Sequence, residues 1–294
     1  PLVVGAAESK KIVKILVTGA AGQLGTDLVL AVQKSGHEVV ATSHADLDIT
    51  NKSQVDLVIG QANAQAIIHA AAWTAVDACE SDPQKAMRVN RDGTANVVAA
   101  ARKSGARVIY ISTDYVFDGT KPTPYLESDL PNPKSVYGAS KLAGERELDL
   151  TQDAVVRVSW VCGAHGANMV KTILRLASTS PTLTFVDDQI GSPTFTSDVA
   201  PVIVDFAVNQ RIGIWHVTNQ GFTSWFGFAQ DVLIAAGLDP SRVLSTSTAD
   251  LRPQRPAERP ANSVLENSKM REGNLTLLDD YHTPLQRLVD QLLS

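Results

Sequence analysis

The amino-acid sequence predicts an α/β fold, a Rossmann-type doubly wound parallel sheet followed by a smaller C-terminal lobe. Short apolar, β-branched runs alternate with amphipathic helical stretches through the first half of the chain, which is the pattern of βαβ units. A glycine-rich turn directly follows the first run, and the alternation loosens after Trp160. The 294 residues, 44% hydrophobic and 19% charged, are enough to bury a core, and this composition excludes a disordered chain.

The elements are predicted in chain order from periodicity and boundary residues. Strands are predicted at residues 12–17, 38–42, 66–70, 107–111 and 154–159, with helices at 23–34, 53–62, 83–103 and 136–150. Gly36 and Gly105 are expected at helix C-termini, where a left-handed residue is favoured. The lobe is predicted to contain helices at 168–177, 197–208 and 224–236, a strand at 182–186 and a proline-rich stretch at 253–260. We therefore expect a flexible leader at 1–11, a Rossmann domain at 12–160 to which some later elements return, and a lobe formed mainly by 161–294.

Charge and cysteine usage narrow the classes of partner. The formal net charge is −5 and the chain has no basic run, so binding to nucleic acid or to an anionic membrane is not expected. Cys79 and Cys162 are far apart and have no CxxC or histidine companion, so neither a disulfide framework nor a zinc site is indicated. No metal site is predicted, and a reducing cytoplasm fits best.

The glycine-rich turn has the pattern G-x-x-G-x-x-G, formed by Gly19, Gly22 and Gly25. It lies between the first strand and a helix whose first turn includes Gln23 and Leu24. Glycines let the backbone approach a pyrophosphate, and the N–H groups of the helix N-terminus favour an anion. This context predicts a dinucleotide site. The alternative is that the glycines serve close packing only.

The end of the second strand bears on the choice of cofactor. Thr42 and Ser43 stand where an acidic residue would accept hydrogen bonds from a ribose 2′-hydroxyl. Without a carboxylate at that point NADPH is favoured, although no arginine is adjacent and NADH stays open. Asp48, beside Ile49, either approaches the adenine, as Asp46 also would, or caps the next helix.

Tyr137 and Lys141 lie at i and i+4 of a predicted helix and so share one face. A nearby ammonium favours phenolate and would lower the tyrosine pKa toward neutrality, which suits a proton donor to a carbonyl. Thr113 follows the fourth strand, at the sheet edge where open α/β folds bind ligands. The alternatives are a solvated helix pair for Tyr137 and Lys141, and a helix-cap or turn residue for Thr113.

This combination resembles the extended short-chain dehydrogenase/reductase superfamily and, within it, the dTDP-4-dehydrorhamnose reductase family. The resemblance runs from residue 14 to the C-terminus and rests on residues 19–25, 69–77, 112–119, 136–145, 158–161 and 187–194. It implies transfer of a hydride from NADPH or NADH to the C4 ketone of a nucleotide-linked 6-deoxyhexose. The partner would be this nucleotide sugar, bound by the C-terminal lobe, and a homodimer is expected. Mg²⁺ dependence stays open.

The resemblance also implies roles for individual residues. Tyr137 would donate the proton, while Lys141 would lower its pKa and hold the nicotinamide ribose. The substrate would be contacted by the following four residues: Thr113, Asp114, Trp160, and Arg259 at the diphosphate. Small backbone at Ala71, Ala72 and Trp73 would approach the cofactor. The alternatives are a turn cap for Asp114, a core position for Trp160, strand packing for 71–73 and a salt-bridged Arg259.

Two other functions remain as alternatives. A 4,6-dehydratase of this superfamily needs a glutamate after the aspartate, but Tyr115 follows Asp114, and epimerases usually carry an acidic residue where Thr42 stands. A different nucleotide-sugar reductase or epimerase is therefore a minor alternative. The other is a non-catalytic NADP-binding regulatory subunit of the same fold, like that of methionine adenosyltransferase. Such a protein would bind NADPH without ketone-dependent oxidation.

Overall fold

The computed structural model describes residues 12–294, so the predicted leader at 1–11 lies outside the described residues. Within this part of the chain the strands are β1 Lys14–Thr18, β2 Glu38–Thr42, β3 Ala66–His69, β4 Arg107–Thr113, β5 Ala154–Val158, β6 Val161–Cys162, β7 Leu183–Val186, β8 Ile190–Gly191, β9 Thr194–Phe195, β10 Gly213–His216, β11 Thr223–Ser224 and β12 Val243–Thr246. The helices are α1 Gln23–Lys34, α2 Lys52–Ala62, α3 Val76–Ser81, α4 Pro83–Met87, α5 Gly93–Ser104, α6 Val136–Glu145, α7 Met169–Thr179, α8 Thr196–Val208, α9 Trp225–Ala235, α10 Ser268–Glu272 and α11 His282–Leu293.

The central sheet of these residues has six parallel strands in the order β10-β5-β4-β3-β1-β2. Every residue of β3 and β5 is buried, because helices cover both faces of the sheet, as parallel sheets require. On one face α1 and α8 pack together, and on the other α2 and α5 do so. The predicted doubly wound Rossmann-type fold is confirmed.

The strand order determines where a ligand can enter. The chain passes from β1 to β2 on one side and then crosses to β3 on the other side of β1. The loops that follow β1 and β3 therefore diverge and leave a crevice at the carboxyl ends of the strands. Open α/β sheets bind their ligands at such a switch point.

The single helix predicted at 83–103 is wrong in detail. The structure has α4, a π-helical turn at Arg88–Asp92, and then α5. Inside this turn, the side chain of the buried Asn90 binds both backbone groups of Trp73, which it reaches at 2.8 and 3.0 Å. Such π-turns are frequent at functional sites. The helical period alone contains no sign of this contact.

The C-terminal part of the chain contributes to two cores. Helices α7, α9 and α11 pack with the parallel pair β7–β12 around Phe228, Val232 and Leu233. Helix α8 and strand β10 instead return to the central sheet. The helix predicted at 136–150 ends at Glu145, since residues 146–153 form turns. None of the helices described in 12–294 is long and apolar enough to cross a membrane.

Candidate active site

A cavity of about 540 Å³ opens at the switch point of the sheet. It joins the loop after β1 to the ends of β4 and β5 and the start of α6. Most residues proposed from the sequence line it, namely Gly19, Gly22, Gln23, Leu24, Gly25, Thr113, Asp114, Tyr137, Lys141 and Trp160, together with Ala72 from the stretch after β3. The fold therefore gathers the glycine turn and the tyrosine–lysine pair around one space.

The glycine turn is packed so closely that side chains are excluded. Gly19 has a φ of +69°, and a Cβ on Gly25 would lie 2.1 Å from the Gly19 carbonyl oxygen. Gly22 precedes α1, and within the described residues no side chain caps this helix. Its first N–H groups therefore face the cavity without a side-chain acceptor, which fits an anionic pyrophosphate. These contacts also give the glycines a packing role.

At the end of β2 the hydroxyls are already engaged. The buried Thr42 donates to the Val17 carbonyl at 3.2 Å, and Ser43 donates to the carboxylate of Asp46 at 2.6 Å. These hydrogen bonds with Ser43 lower the pKa of Asp46. The carboxylate of Asp46 therefore lies against Ser43, beside the end of β2, although residues 40–44 themselves carry no acidic side chain.

Asp48 does not cap the following helix. It accepts hydrogen bonds from the backbone and hydroxyl of Thr50, and the side chain of Asn51 caps α2. Ile49 is buried and lies against Gly93, where an added Cβ would be 2.8 Å from its Cδ1. Neither Asp48 nor Ile49 is among the described residues that line the cavity.

The stretch after β3 is held by hydrogen bonds to neighbouring elements. Ala71 donates its N–H to Thr18, and both backbone groups of Trp73 bind Asn90. Among the described residues of this stretch, Ala72 lines the cavity whereas Ala71 and Trp73 do not. His69 binds Thr18 and Thr94 and is fully buried, so it is a hydrogen-bonded core histidine.

Tyr137 is buried at the start of α6, edge-on to the ring of Tyr115. Burial raises its pKa above the ordinary phenol value, a hydrogen bond with Thr113 opposes this rise, and the charge of Asp114 adds to it. The expected net lowering of this pKa beside Lys141 is therefore wrong in direction. The cause is desolvation, which penalises the phenolate. Tyr137 keeps its proton at neutral pH.

Lys141 lies one turn further along α6 and is buried. Its ammonium donates to the Ile111 carbonyl at 2.7 Å and lies 4.0 Å from the centroid of the Tyr110 ring. Burial lowers its pKa to about 7, although the Glu145 carboxylate opposes this. The charge of this ammonium is therefore poised to change near neutral pH.

Thr113 ends β4 and is linked to two further polar side chains. Its hydroxyl donates to Asp114 at 2.9 Å and accepts the N–H of Tyr115, so Thr113 rather than Asp114 caps this turn. Ser159 donates to the other Asp114 oxygen. Burial raises the pKa of Asp114 despite these hydrogen bonds. No group of three or more His, Cys, Asp or Glu side chains within 12–294 is placed to hold a metal ion.

Trp160 follows β5 with a φ of +45°, a conformation that is rare for a bulky residue. Its ring stacks on Trp225 at a centroid distance of 3.5 Å, and Gly191 lies so close that a Cβ would be 2.4 Å from the indole. Both indoles line the cavity. Trp160 thus belongs to the packing of the lobe and also forms a wall of the cavity.

Arg259 is paired with a carboxylate rather than free. Its guanidinium makes two hydrogen bonds to Asp77, at 3.0 and 2.8 Å, and Arg255 lies 3.8 Å from the same carboxylate. Arg259 is therefore salt-bridged, as the alternative interpretation of the sequence had it. Both arginines act electrostatically on Tyr115, which lines the cavity, but neither is among the described residues that line it.

Sequence reasoning missed several residues of this site. Asn90 binds Ser140, which in turn donates to the backbone carbonyl of Tyr137. Ser159 and Trp225 come from distant parts of the chain to meet Asp114 and Trp160. Except for the Ser140–Tyr137 bond within α6, these contacts join elements that are distant in sequence, so no local spacing predicts them.

The sequence profile of the RmlD substrate binding domain matches residues 13–294. A dTDP-4-dehydrorhamnose reductase of Streptomyces griseus is 38% identical over 278 residues, covering 92% of this chain and 91% of that protein. A dTDP-4-keto-6-deoxy-D-glucose reductase of Streptomyces niveus is 38% identical over 273 residues, covering 92% and 94%. The crystal structure of a dTDP-4-dehydrorhamnose reductase from Bacillus anthracis in complex with NADP has a TM-score of 0.90 at 35% identity, covering 96% and 100%.

Proposed function

The chain belongs to the RmlD substrate binding domain family, and from that premise we propose that it is an NADPH-dependent dTDP-4-dehydrorhamnose reductase. It reduces the C4 ketone of dTDP-4-dehydro-L-rhamnose to give dTDP-L-rhamnose. One observation carries the proposal: a single cavity joins the uncapped, glycine-lined start of α1 to Thr113, Tyr137 and Lys141. A cofactor and a ketone can therefore meet beside a proton donor.

Tyr137 is the proton donor of the proposed reaction. Burial raises its pKa, so the phenol carries its proton when the ketone arrives. The bound nicotinamide supplies the hydride, and the ketone oxygen takes the phenolic proton as negative charge develops on it. Lys141, one helical turn away, holds the nicotinamide ribose and stabilises the phenolate that remains.

The sugar is held between β4 and the lobe. Thr113 turns its hydroxyl from Asp114 toward the sugar oxygen, and Asp114 accepts a hydrogen bond from a sugar hydroxyl. Trp160 packs against the sugar ring from the side of the lobe. Arg259 takes the diphosphate, for which it must exchange its pair with Asp77, whose carboxylate is 37% exposed and open to competition.

The cofactor and the compartment are part of the proposal. The likeness to a protein solved with NADP supports NADPH, whereas Asp46 at the end of β2 disfavours a 2′-phosphate and keeps NADH in use. The remaining cofactor contacts proposed are Gln23, Leu24, Thr42, Ser43, Asp48, Ile49, Ala71, Ala72 and Trp73. A cytoplasmic location fits the two free, buried cysteines.

The test follows NADPH absorbance with dTDP-4-dehydro-L-rhamnose, using a UDP-linked ketosugar and a reaction without sugar as controls. Oxidation only with the dTDP sugar is expected. Tight NADPH binding without oxidation by any ketosugar would contradict the reductase and favour a non-catalytic NADP-binding subunit.

A second candidate substrate is dTDP-4-keto-6-deoxy-D-glucose, because a relative of equal identity is named for its reduction. The same assay with this sugar separates the two candidates. A higher kcat/KM for the D-gluco sugar would replace the rhamnose assignment while leaving the roles of Tyr137 and Lys141 in place.

A further inference from the structure

A buried carboxylate outside the cavity lies one helical turn beyond Lys141. Glu145, the last residue of α6, is 6% exposed and forms an ion pair with Arg157 of β5, which is 1% exposed. The two groups are joined by hydrogen bonds of 2.9 and 2.7 Å. Ser112 donates a third hydrogen bond to Glu145, at 2.5 Å. Such a fully bonded buried pair holds its elements in a defined position.

These contacts tie α6 to the strands that carry the rest of the site. Consecutive residues of β4 bind the two side chains, because the Ile111 carbonyl accepts from Lys141 and the Ser112 hydroxyl donates to Glu145. The next residue of β4 is Thr113. The positions of Lys141 and Glu145 are therefore coupled, because these residues of two adjacent turns of α6 are hydrogen-bonded to neighbouring residues of β4.

The charges around this arrangement are few. Lys141 and Arg157 are cations, and Glu145 is the carboxylate that binds Arg157 and acts on Lys141. The other titratable groups near them are His69 of β3, Tyr110 of β4, Tyr137 of α6, His216 of β10 and Asp114 of the turn after β4, whose charge acts on Tyr137. Burial lowers the pKa of both histidines to about 3, so these side chains are neutral near pH 7. Within 12–294, Glu145 is thus the carboxylate that is hydrogen-bonded to Arg157 and whose charge also acts on Lys141.

We infer that Glu145 is a positioning residue of the reductase, which fixes α6 on the sheet through Arg157 and Ser112 and keeps the Lys141 ammonium charged in the cavity. Without this carboxylate Arg157 would lose its ion-pair partner and Lys141 would lose the charge that opposes its desolvation, and Lys141 is the one that can release its proton. A neutral Lys141 would have one fewer N–H donor for the cofactor ribose and would no longer stabilise the Tyr137 phenolate. The inference rests on the proposed function for its kinetic consequences.

The test is Glu145→Gln, which removes the charge and retains a hydrogen-bonding side chain of the same length. For the parent, the Kd for NADP⁺ is expected to weaken as the pH rises through about 7, where burial places the pKa of Lys141. In the variant this weakening should begin about 1 to 2 pH units lower. Loss of a unit negative charge ~6 Å from the Lys141 ammonium lowers its pKa by about that amount at an effective dielectric near 20. NADP⁺ replaces NADPH since the reduced form decays in acid. The alkaline limb of kcat/KM should move with it.

The matched control is Glu127→Gln. Glu127 is also buried and accepts hydrogen bonds from the backbone of His216 and Lys269 and from Ser268, and within 12–294 none of these bonds reaches α6. This variant should unfold at lower temperature and keep the pH dependence of the parent. The inference would be overturned if the alkaline limb of the kcat/KM profile moved equally in both variants, or if it did not move in folded Glu145→Gln.

A second variant covers the case in which Glu145→Gln does not fold. Arg157→Met removes the cation that shares the Glu145 carboxylate with Lys141. Glu145 then stabilises the charge of Lys141 alone, so the alkaline limb of the kcat/KM profile should move to higher pH. An alkaline limb that stays in place or moves to lower pH would contradict the inference. The two proposals fail separately: a parent that binds NADP⁺ with this pH dependence but never oxidises NADPH contradicts the reductase, not the role of Glu145 toward Lys141.

Discussion

Substitution of Gly25 by alanine tests whether the glycine turn serves the cofactor or packing alone. The added Cβ would lie 2.1 Å from the Gly19 carbonyl oxygen, where real contacts stay beyond 3.0 Å, so the turn must move by about 1 Å. Crowding of this kind lowers the free energy of unfolding by about 1–3 kcal/mol, whereas the better helix propensity of alanine raises it by about 1 kcal/mol. We expect Gly25→Ala to lower the free energy of unfolding by about 1 kcal/mol.

The effect on the cofactor should be larger. A displaced turn misplaces N–H groups whose charge-assisted hydrogen bonds to a pyrophosphate contribute about 1.5–3 kcal/mol each, so NADPH affinity should fall at least about tenfold. The matched control is Gly60→Ala in α2, where an added Cβ meets nothing within 4 Å; it should stabilise by about 0.5–1 kcal/mol and leave affinity unchanged. Urea unfolding and fluorescence titration with NADPH measure both quantities. A destabilised Gly25→Ala with parental affinity would refute the cofactor role and leave packing as the reason for the glycines.

Four further predictions address individual side chains. Tyr137→Phe should lower kcat at least about a hundredfold with little change in NADPH Kd, since it removes the proton and keeps the ring; retained turnover in the absorbance assay would remove Tyr137 as the acid. Lys141→Met should weaken NADPH binding and abolish the pH dependence of Kd near pH 7, as measured by titration at several pH values; an unchanged profile would mean that another group titrates. Arg259→Gln should raise KM for the nucleotide sugar about tenfold with kcat nearly constant; an unchanged KM would exclude Arg259 from the diphosphate site. Asp46→Asn should raise the ratio of kcat/KM for NADPH over NADH, because a carboxylate near the 2′-phosphate is removed; a ratio unchanged in steady-state kinetics would place Asp46 away from the cofactor.

The strands of the sheet were predictable where the pattern of apolar residues within a single strand or helix indicates the element. Strands β1 to β5 are apolar and alternate with amphipathic helices, and β2 has the predicted bounds, Glu38–Thr42. Strand β10 was not predicted, since its four residues form an edge strand and three of them are only partly buried. So short and half-exposed a run has no distinctive period. Helix α11, whose apolar side packs on α9, was also not singled out.

The site divides in the same way. Gly19, Tyr137 and Lys141 follow spacings that chemistry requires, so the chain itself reveals them. Asn90 and Trp225 enter through contacts between elements that are distant in sequence. The pKa of Tyr137 was predicted in the wrong direction because spacing gives the distance to a cation but not the extent of desolvation.

The return of β10 and α8 to the central sheet has a consequence for synthesis of the protein. Strand β10 covers the edge of β5, and Val199 and Ile203 of α8 pack in one core with Leu28 of α1. A nascent chain that has emerged only to residue 160 would expose an open strand edge and an apolar helix face, both of which favour aggregation. The edge of β5 and this face of α1 are covered only when residues 196–216 are present, so the core of the first half depends on the second half of the chain.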